Sequence, residues 1–123
     1  MQAGESAPDW PALFGTDRSL EVEVGCGKGE FLEQIAQARP ESNFVGIEIR
    51  RLRIEKIAKR IQGAGLDNAR ILWGDARDFA VTAFAPGSVA RVYLNFPDPW
   101  PKRKHAKRRI FQGGFPVWVH KIL

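Results

Sequence analysis

The chain has 123 residues, a length that fits one domain with a single hydrophobic core. Hydrophobic residues make up 44% and charged residues 27%, which excludes a disordered chain, a collagen-like repeat and a coiled coil. No apolar run is long enough to cross a bilayer, and residues 1–10 lack the pattern of a signal peptide, so we expect a cytoplasmic protein. Because Cys26 is the only cysteine, we predict no internal disulfide and no metal site.

The net charge of +5 comes from two basic stretches. Residues 102–109 (KRKHAKRR) contain six basic side chains and no acid, and residues 50–60 contain six basic side chains and one acid, Glu55. The rest of the chain holds only seven of the 19 basic residues but 13 of the 14 acidic ones. Such local positive charge predicts a polyanionic partner held at defined places.

Residues 1–18 carry prolines and glycines without periodicity, so we predict a lead-in without activity, followed by a domain of residues 19–123. Trp10, Leu13 and Phe14 of the lead-in are expected to dock on that domain.

The remainder alternates short apolar runs of strand length with stretches of helical spacing. The predicted strands cover residues 20–24, 43–49, 69–73 and 89–96. The predicted helices run from residue 31 to Pro40, through the basic stretch to Gly63 and Gly65, over residues 77–84, and from about residue 115 to the end. This alternation predicts an α/β fold with a parallel sheet, in which ligands bind beyond the carboxyl ends of the strands.

A glycine-rich loop follows the first predicted strand. Gly25, Gly27 and Gly29 permit a tight turn and a close approach of ligand to backbone just before a helix. Their spacing differs from the dinucleotide-binding fingerprint, and Lys28 lacks the Ser or Thr that follows a P-loop lysine. Glu23, two residues before the first glycine, suits a cationic group such as the ammonium of an amino acid better than a phosphate.

Two further acids follow the next two strands. Glu48 can accept hydrogen bonds from both hydroxyls of a ribose, although a solvated acid at the end of a strand is the alternative. Asp75 can accept from an exocyclic amine such as that of adenine while Ala76 leaves the backbone open, and Asp75 would also serve as a helix N-cap. Three acids and a glycine loop predict a site for a nucleoside with an amino-acid tail, S-adenosylmethionine, in an order that resembles the class I methyltransferases.

The segment after the fourth strand is more specific. Residues 96–100 (FPDPW) followed by the basic run 102–109 resemble the bacterial tRNA (guanine-N7)-methyltransferases, and the similarity extends from about Trp10 to Leu123. The resemblance implies that Glu23, Glu48, Asp75 and Asp98 line the cofactor pocket, that Asp98 is catalytic and that Lys102 contacts the substrate. It also implies tRNA as partner, with guanine 46 of the variable loop as the target. The basic run is expected to bind phosphates, although a solvated charged face or a localisation signal is the alternative. The side chains concerned are Lys102, Arg103, Lys104, Lys107, Arg108 and Arg109.

Members of this family continue beyond the position of Leu123 with further strands and guanine-binding residues, so the resemblance implies a chain truncated at its C-terminus. It implies a Rossmann-like class I methyltransferase fold, doubly wound but incomplete, with four strands in the order 3-2-1-4. The fourth strand is then an open apolar edge through which copies could associate. Three alternatives remain: a methyltransferase of another nucleic-acid amine, a truncated cofactor- or RNA-binding chain without activity, and a nicotinamide-dependent dehydrogenase.

Overall fold

The computed structural model describes residues 8–95 together with residues 122 and 123, and these form a four-stranded parallel sheet with helices on both faces. The elements, in chain order, are α1 (Trp10–Phe14), β1 (Ser19–Val24), α2 (Glu30–Ala38), β2 (Ser42–Glu48), α3 (Arg51–Gly63), β3 (Ala69–Trp73), α4 (Ala76–Thr82) and β4 (Arg91–Leu94). The strand order β3-β2-β1-β4 confirms the predicted α/β fold and its order.

Two hydrophobic clusters lie on opposite faces of the sheet, because successive side chains of a strand point to opposite sides. Leu20 and Val22 of β1 face one cluster, which α1 and α4 complete and which Ile122 joins. Phe44 of β2 faces the other cluster, where Leu32 of α2 and Ile57 of α3 are fully buried. Burial from both sides explains why every residue of β2 is buried.

Helix α1 is a short element that the periodicity of the sequence did not predict. The Asp9 side chain caps it by accepting from the backbone N–H of Ala12 at 3.2 Å, and Gly15 ends it in the left-handed region. Trp10 is buried, donates its indole N–H to the carbonyl of Ala83 at 2.8 Å and stacks on Phe84. The lead-in therefore docks through two of the three residues expected to do so, Trp10 and Phe14, whereas Leu13 is exposed.

Strand β3 has the predicted bounds, and the boundaries of the other elements differ from the prediction by one or two residues. Strand β2 ends at Glu48, which leaves Ile49 63% exposed, and α4 ends at Thr82, two residues before its predicted end. Strand β4 begins at Arg91 instead of residue 89, since the Val89 N–H donates to the carbonyl of Ile122 and not to the sheet.

A buried ion pair lies beneath α2. Glu21 is fully buried in β1, where it accepts a hydrogen bond from the Tyr93 hydroxyl at 2.6 Å and faces the guanidinium of Arg39 at 3.1 Å. Burying a carboxylate is costly unless it is paired, and these two partners supply the pairing. The alternating pattern of β1 did not reveal that Glu21 points inward.

Gly46 in the middle of β2 is required by a close approach of the loop that follows β1. A Cβ at Gly46 would lie 2.5 Å from Cys26 Sγ and 3.0 Å from Leu32 Cδ2, so no larger residue fits without movement. The position of the glycine loop over the sheet depends on this contact.

Gly46→Ala should lower the free energy of unfolding by about 1 to 3 kcal/mol, the usual cost of overpacking a core, as measured by urea denaturation. The matched control is Gly63→Ala, where no atom lies within 4 Å of the added Cβ. The control should be neutral or should stabilise the protein by less than about 1 kcal/mol. Equal stability of the two variants would show that the loop moves freely away from β2.

Candidate functional site

The carboxyl ends of the strands meet at one edge of the sheet and carry the predicted site residues. The backbone N–H of Gly25 donates to the carbonyl of Ile47, and that of Gly74 donates to the carbonyl of Glu48, both at about 3 Å. The N–H of Asn95 likewise donates to Val24 on the other side of β1. The segments after all four strands are therefore held side by side by main-chain hydrogen bonds.

The glycine loop between β1 and α2 adopts the tight turn that the sequence predicted. Gly25, Gly27 and Gly29 all have positive φ, at 81°, 58° and 86°. A Cβ at Gly29 would lie 3.2 Å from the Ile57 side chain, so this glycine also permits close packing of the loop against α3. The N–H of Gly29 closes the turn on the carbonyl of Cys26 at 2.8 Å, and α2 begins at the next residue.

Glu48 is the acid that connects the glycine loop after β1 to the start of α3. Its Oε1 accepts from the backbone N–H of Gly27 at 3.0 Å, and its Oε2 accepts from the backbone N–H of Arg50 at 2.8 Å. The residue is only 3% exposed, which excludes the alternative of a solvated acid at the end of a strand. Because each carboxylate oxygen can accept more than one hydrogen bond, Glu48 keeps capacity for two hydroxyl donors of a ligand.

Glu23 lies on the neighbouring strand and is not fully paired. It is 2% exposed, and its Oε2 accepts from the Asn95 side chain at 2.7 Å. Its Oε1 is buried and has no hydrogen-bond partner among the described residues. Burial raises the pKa of Glu23 above its ordinary value of 4.5, the side chains of Asn95 and Cys26 oppose this as hydrogen-bond donors, and the nearby Glu48 adds a smaller increase. A cationic donor placed against Oε1 would satisfy this oxygen.

Asp75 and Ala76 lie at the same edge, after β3. The carbonyl of Asp75 accepts from the N–H groups of Asp78 and Phe79, at 3.1 and 3.2 Å, which places Asp75 at the N-cap position of α4. Ala76 is the first residue of that helix and is buried. Asp75 therefore occupies the N-cap position of α4, as the alternative from the sequence predicted, and its role in adenine binding stays a prediction.

Sequence reasoning assigned no role to three residues of this edge. Asn95 holds Glu23, Ile49 exposes an apolar side chain directly after Glu48, and Trp73 is 37% exposed at the end of β3. The parallel register of β1 and β4, which pairs Val24 with Leu94, is the signal that could have placed Asn95 beside Glu23.

The predicted catalytic and substrate-binding residues lie outside the described residues. They are Asp98, Lys102, Arg103, Lys104, Lys107, Arg108 and Arg109. Within residues 8–95 and 122–123, no three His, Cys, Asp or Glu side chains are grouped to hold a metal ion. In the same part of the chain, no helix has the length and apolar character needed to cross a membrane.

The chain is similar in sequence to known methyltransferases. A family model described as "Putative methyltransferase" matches residues 17–123. A protein of Lactobacillus delbrueckii subsp. bulgaricus named tRNA (guanine-N(7)-)-methyltransferase is 46% identical over 115 residues, covering 94% of this chain and 52% of the relative. Proteins of the same name from Geobacillus thermodenitrificans and Streptococcus pneumoniae are 40% and 41% identical, covering 93% and 97% of this chain and 52% and 56% of the relatives. The chain spans about half the length of the curated relatives that it matches.

Solved structures show the same fold at lower sequence identity. The 16S rRNA methyltransferase KamB has a TM-score of 0.67 and is 21% identical, covering 94% of this chain and 52% of that one. The geranyl diphosphate C-methyltransferase of Streptomyces coelicolor has a TM-score of 0.56 and is 19% identical, covering 77% of this chain and 30% of that one. The architecture is thus that of class I methyltransferases with a Rossmann-like fold.

Glu23→Gln should change how stability depends on pH. A carboxyl whose pKa is raised on folding binds more protons in the folded chain, so the folded state loses stability as the pH rises from 4.5 through the raised value. The variant lacks this titration and should be more stable than the unmodified chain at neutral pH, as measured by urea unfolding at about pH 5 and about pH 8. The exposed Glu55→Gln serves as control, and an identical pH profile for Glu23→Gln and the unmodified chain would contradict the prediction.

Proposed function

Because this chain belongs to the "Putative methyltransferase" family whose model matches residues 17–123, and is 46% identical to a relative named tRNA (guanine-N(7)-)-methyltransferase, we propose that it binds S-adenosylmethionine and serves transfer of its methyl group to N7 of a guanine in tRNA. The target expected from the family is guanine 46. The observation that carries the proposal is that two buried acids, Glu23 and Glu48, lie at the same edge of the sheet. Glu23 offers an unpartnered oxygen, and Glu48 is oriented by two backbone donors beside a glycine loop.

The described residues fit the parts of this cofactor. Glu23 would receive the ammonium group, since its free oxygen requires a donor and its charge favours a cation. Glu48 would accept from the ribose hydroxyls, and the exposed side chain of Ile49 would pack on the purine ring. Asp75 and Ala76, after β3, would lie next to the adenine, and the backbone at Gly25, Gly27 and Gly29 would allow close approach of the methionine part.

Methylation of guanine N7 requires positioning more than proton transfer. When bound, the cofactor supplies an electrophilic methyl group on a sulfonium. Guanine N7 is a neutral acceptor with a lone pair, so no residue has to remove a proton from the nucleophile. Asp98 is proposed to favour the positive charge that develops on the purine, either directly or by accepting from N1–H and the exocyclic amine. Lys102 is proposed to contact the substrate, and the basic side chains of residues 103–109 to hold phosphates.

Glu48→Gln should weaken binding of S-adenosylhomocysteine, measured by calorimetry, by about ten- to a hundredfold, because a charged hydrogen bond is worth roughly 1.5 to 3 kcal/mol. Glu55→Gln removes the same charge at an exposed position of α3 and should leave the affinity unchanged. Equal affinity in Glu48→Gln and in the control would remove the ribose assignment. Absence of any binding by the unmodified chain would overturn the proposed function itself.

Asp98→Asn removes the charge of the proposed catalytic carboxylate with little change of shape. Single-turnover methylation of tRNA should fall by about a hundred- to a thousandfold, the usual cost of losing one electrostatic stabiliser, while tRNA affinity changes much less. The control is Asp67→Asn, an exposed acid that pairs with Arg18 at the amino ends of the strands, opposite the proposed site. A loss of tRNA binding with an unchanged single-turnover rate would make Asp98 a substrate anchor instead.

A further inference from the structure

The outer side of α3 carries charge that the cofactor site does not use. Ile57 and Ile61 form the buried side of the helix, and Arg51, Lys56 and Lys59 are exposed on the other side. Lys59 forms an ion pair with Glu55, with its Nζ 3.2 Å from Oε1, and Lys56 has no ion-pair partner among the described residues. At a rise of about 1.5 Å per residue, the three cations extend over roughly 12 Å of the helix axis.

Not every cation of this helix is available. Arg60 donates to Glu33 at 2.8 Å and to the carbonyl of Lys28 at 3.1 Å, so it ties α3 to α2 and to the glycine loop. Structural ion pairing therefore accounts for Arg60, whereas Lys56 and Lys59 make no ion pair with another element among the described residues. Their concentration on one helix face, against a single acid, needs a different explanation.

An aromatic side chain lies next to these cations. The guanidinium of Arg51 lies 5.7 Å from the centre of the Trp73 ring, and the indole N–H of Trp73 donates to the carbonyl of Ile49 at 3.2 Å. These two contacts hold the indole in one orientation although it is partly exposed. Leu52, the residue that follows Arg51 in α3, has an 87% exposed side chain. Ring and apolar surface beside cations are typical of sites where nucleic-acid bases stack next to bound phosphates.

We propose that the side chains of Arg51, Leu52, Lys56, Lys59 and Trp73, here termed the α3 ridge, form an RNA-binding surface separate from the basic run at residues 102–109. Lys56 and Lys59 contact phosphates, and the Trp73 ring with the Arg51 guanidinium receives a base. The inference rests on the proposed function for the identity of the RNA as tRNA. Arg51 lies three residues after Glu48, so an RNA on the ridge reaches the edge of the sheet where the cofactor is proposed to bind.

RNA is favoured over an acidic protein because the ridge combines phosphate-binding cations with an immobilised aromatic ring. An acidic peptide would be attracted by the cations alone and would gain nothing specific from Trp73. Binding of RNA should therefore depend on the Trp73 ring, whereas binding of an acidic peptide should not.

The first test is the salt dependence of tRNA binding, measured by fluorescence anisotropy on the full chain. Each phosphate contact contributes about 0.7 to 0.9 to the slope of log affinity against log salt, so Lys56→Gln/Lys59→Gln should reduce that slope by about 1.4 to 1.8. The matched control is Arg18→Gln/Arg91→Gln, which removes two charges at the amino ends of β1 and β4. An equal effect of the two double variants would overturn the ridge as a binding surface.

The second test addresses the aromatic ring. Trp73→Ala should weaken tRNA binding by about five- to a hundredfold, and Trp73→Phe should restore most of it because a phenyl ring still stacks. Polyglutamate is added as competitor in the same assay. Competition as strong as that of unlabelled tRNA, or no difference between the two Trp73 variants, would contradict the proposal and indicate a site for acidic polymers.

Binding of S-adenosylhomocysteine, measured on the same samples, separates the two levels of inference. Cofactor binding with unchanged tRNA binding in all ridge variants would overturn the α3 ridge and leave the proposed function standing. Selective loss of tRNA binding in the ridge variants without any cofactor binding would support the ridge and overturn the proposed function. A chain that does not bind tRNA at all would overturn the ridge directly.

Discussion

The two hydrogen bonds that Glu48 accepts organise the carboxyl edge of the sheet. One carboxylate, buried at the end of β2, holds the glycine loop through the N–H of Gly27 and the entry to α3 through the N–H of Arg50. The loop after β1 and the helix after β2 are thereby fixed to each other as well as to their own strands. Because an unpaired buried charge is unfavourable, loss of either hydrogen bond would lower the free energy of unfolding. The same oxygens that orient the protein are then already aligned for a ligand, so binding requires little reorganisation.

Two buried acids on one face of β1 show how a strand can serve structure and function at once. Glu21 is paired with Arg39 and accepts a hydrogen bond from Tyr93, which packs against the core cluster beneath α2 and α3. Glu23, two residues later, has only Asn95 on one oxygen. Burial of the Glu23 carboxylate destabilises the folded state, as the raised pKa of this group indicates. A cationic ligand would offset this destabilisation. The acid with partners on both oxygens thus serves the fold, whereas the acid with one unpartnered oxygen lies at the proposed site.

The order of the strands and the edge that holds the site could be predicted because both follow from local pattern. Alternating strands and helices imply parallel pairing, and parallel pairing brings Glu23, Glu48 and Asp75 to one edge whatever the detailed packing. Contacts between distant residues could not be predicted in the same way. Neither the contact of Gly46 with Cys26 nor the role of Asn95 has a signal in its own neighbourhood of the sequence. Helix α1 was missed for a related reason, because five residues are too few to show a period.

The packing of Cys26 against Gly46 makes this thiol a reporter of structural opening at the glycine loop. The thiol is buried, lies 3.6 Å from the carbonyl of Ile47, and has a pKa that burial and the neighbouring Glu23 raise far above the usual range. In the closed loop it is therefore inert to alkylating reagents, which react with the exposed thiolate. Since the sequence contains no other cysteine, alkylation reports only those openings, local or global, that expose the base of the glycine loop. A ligand held by that loop would lower the population of such open states and slow the labelling.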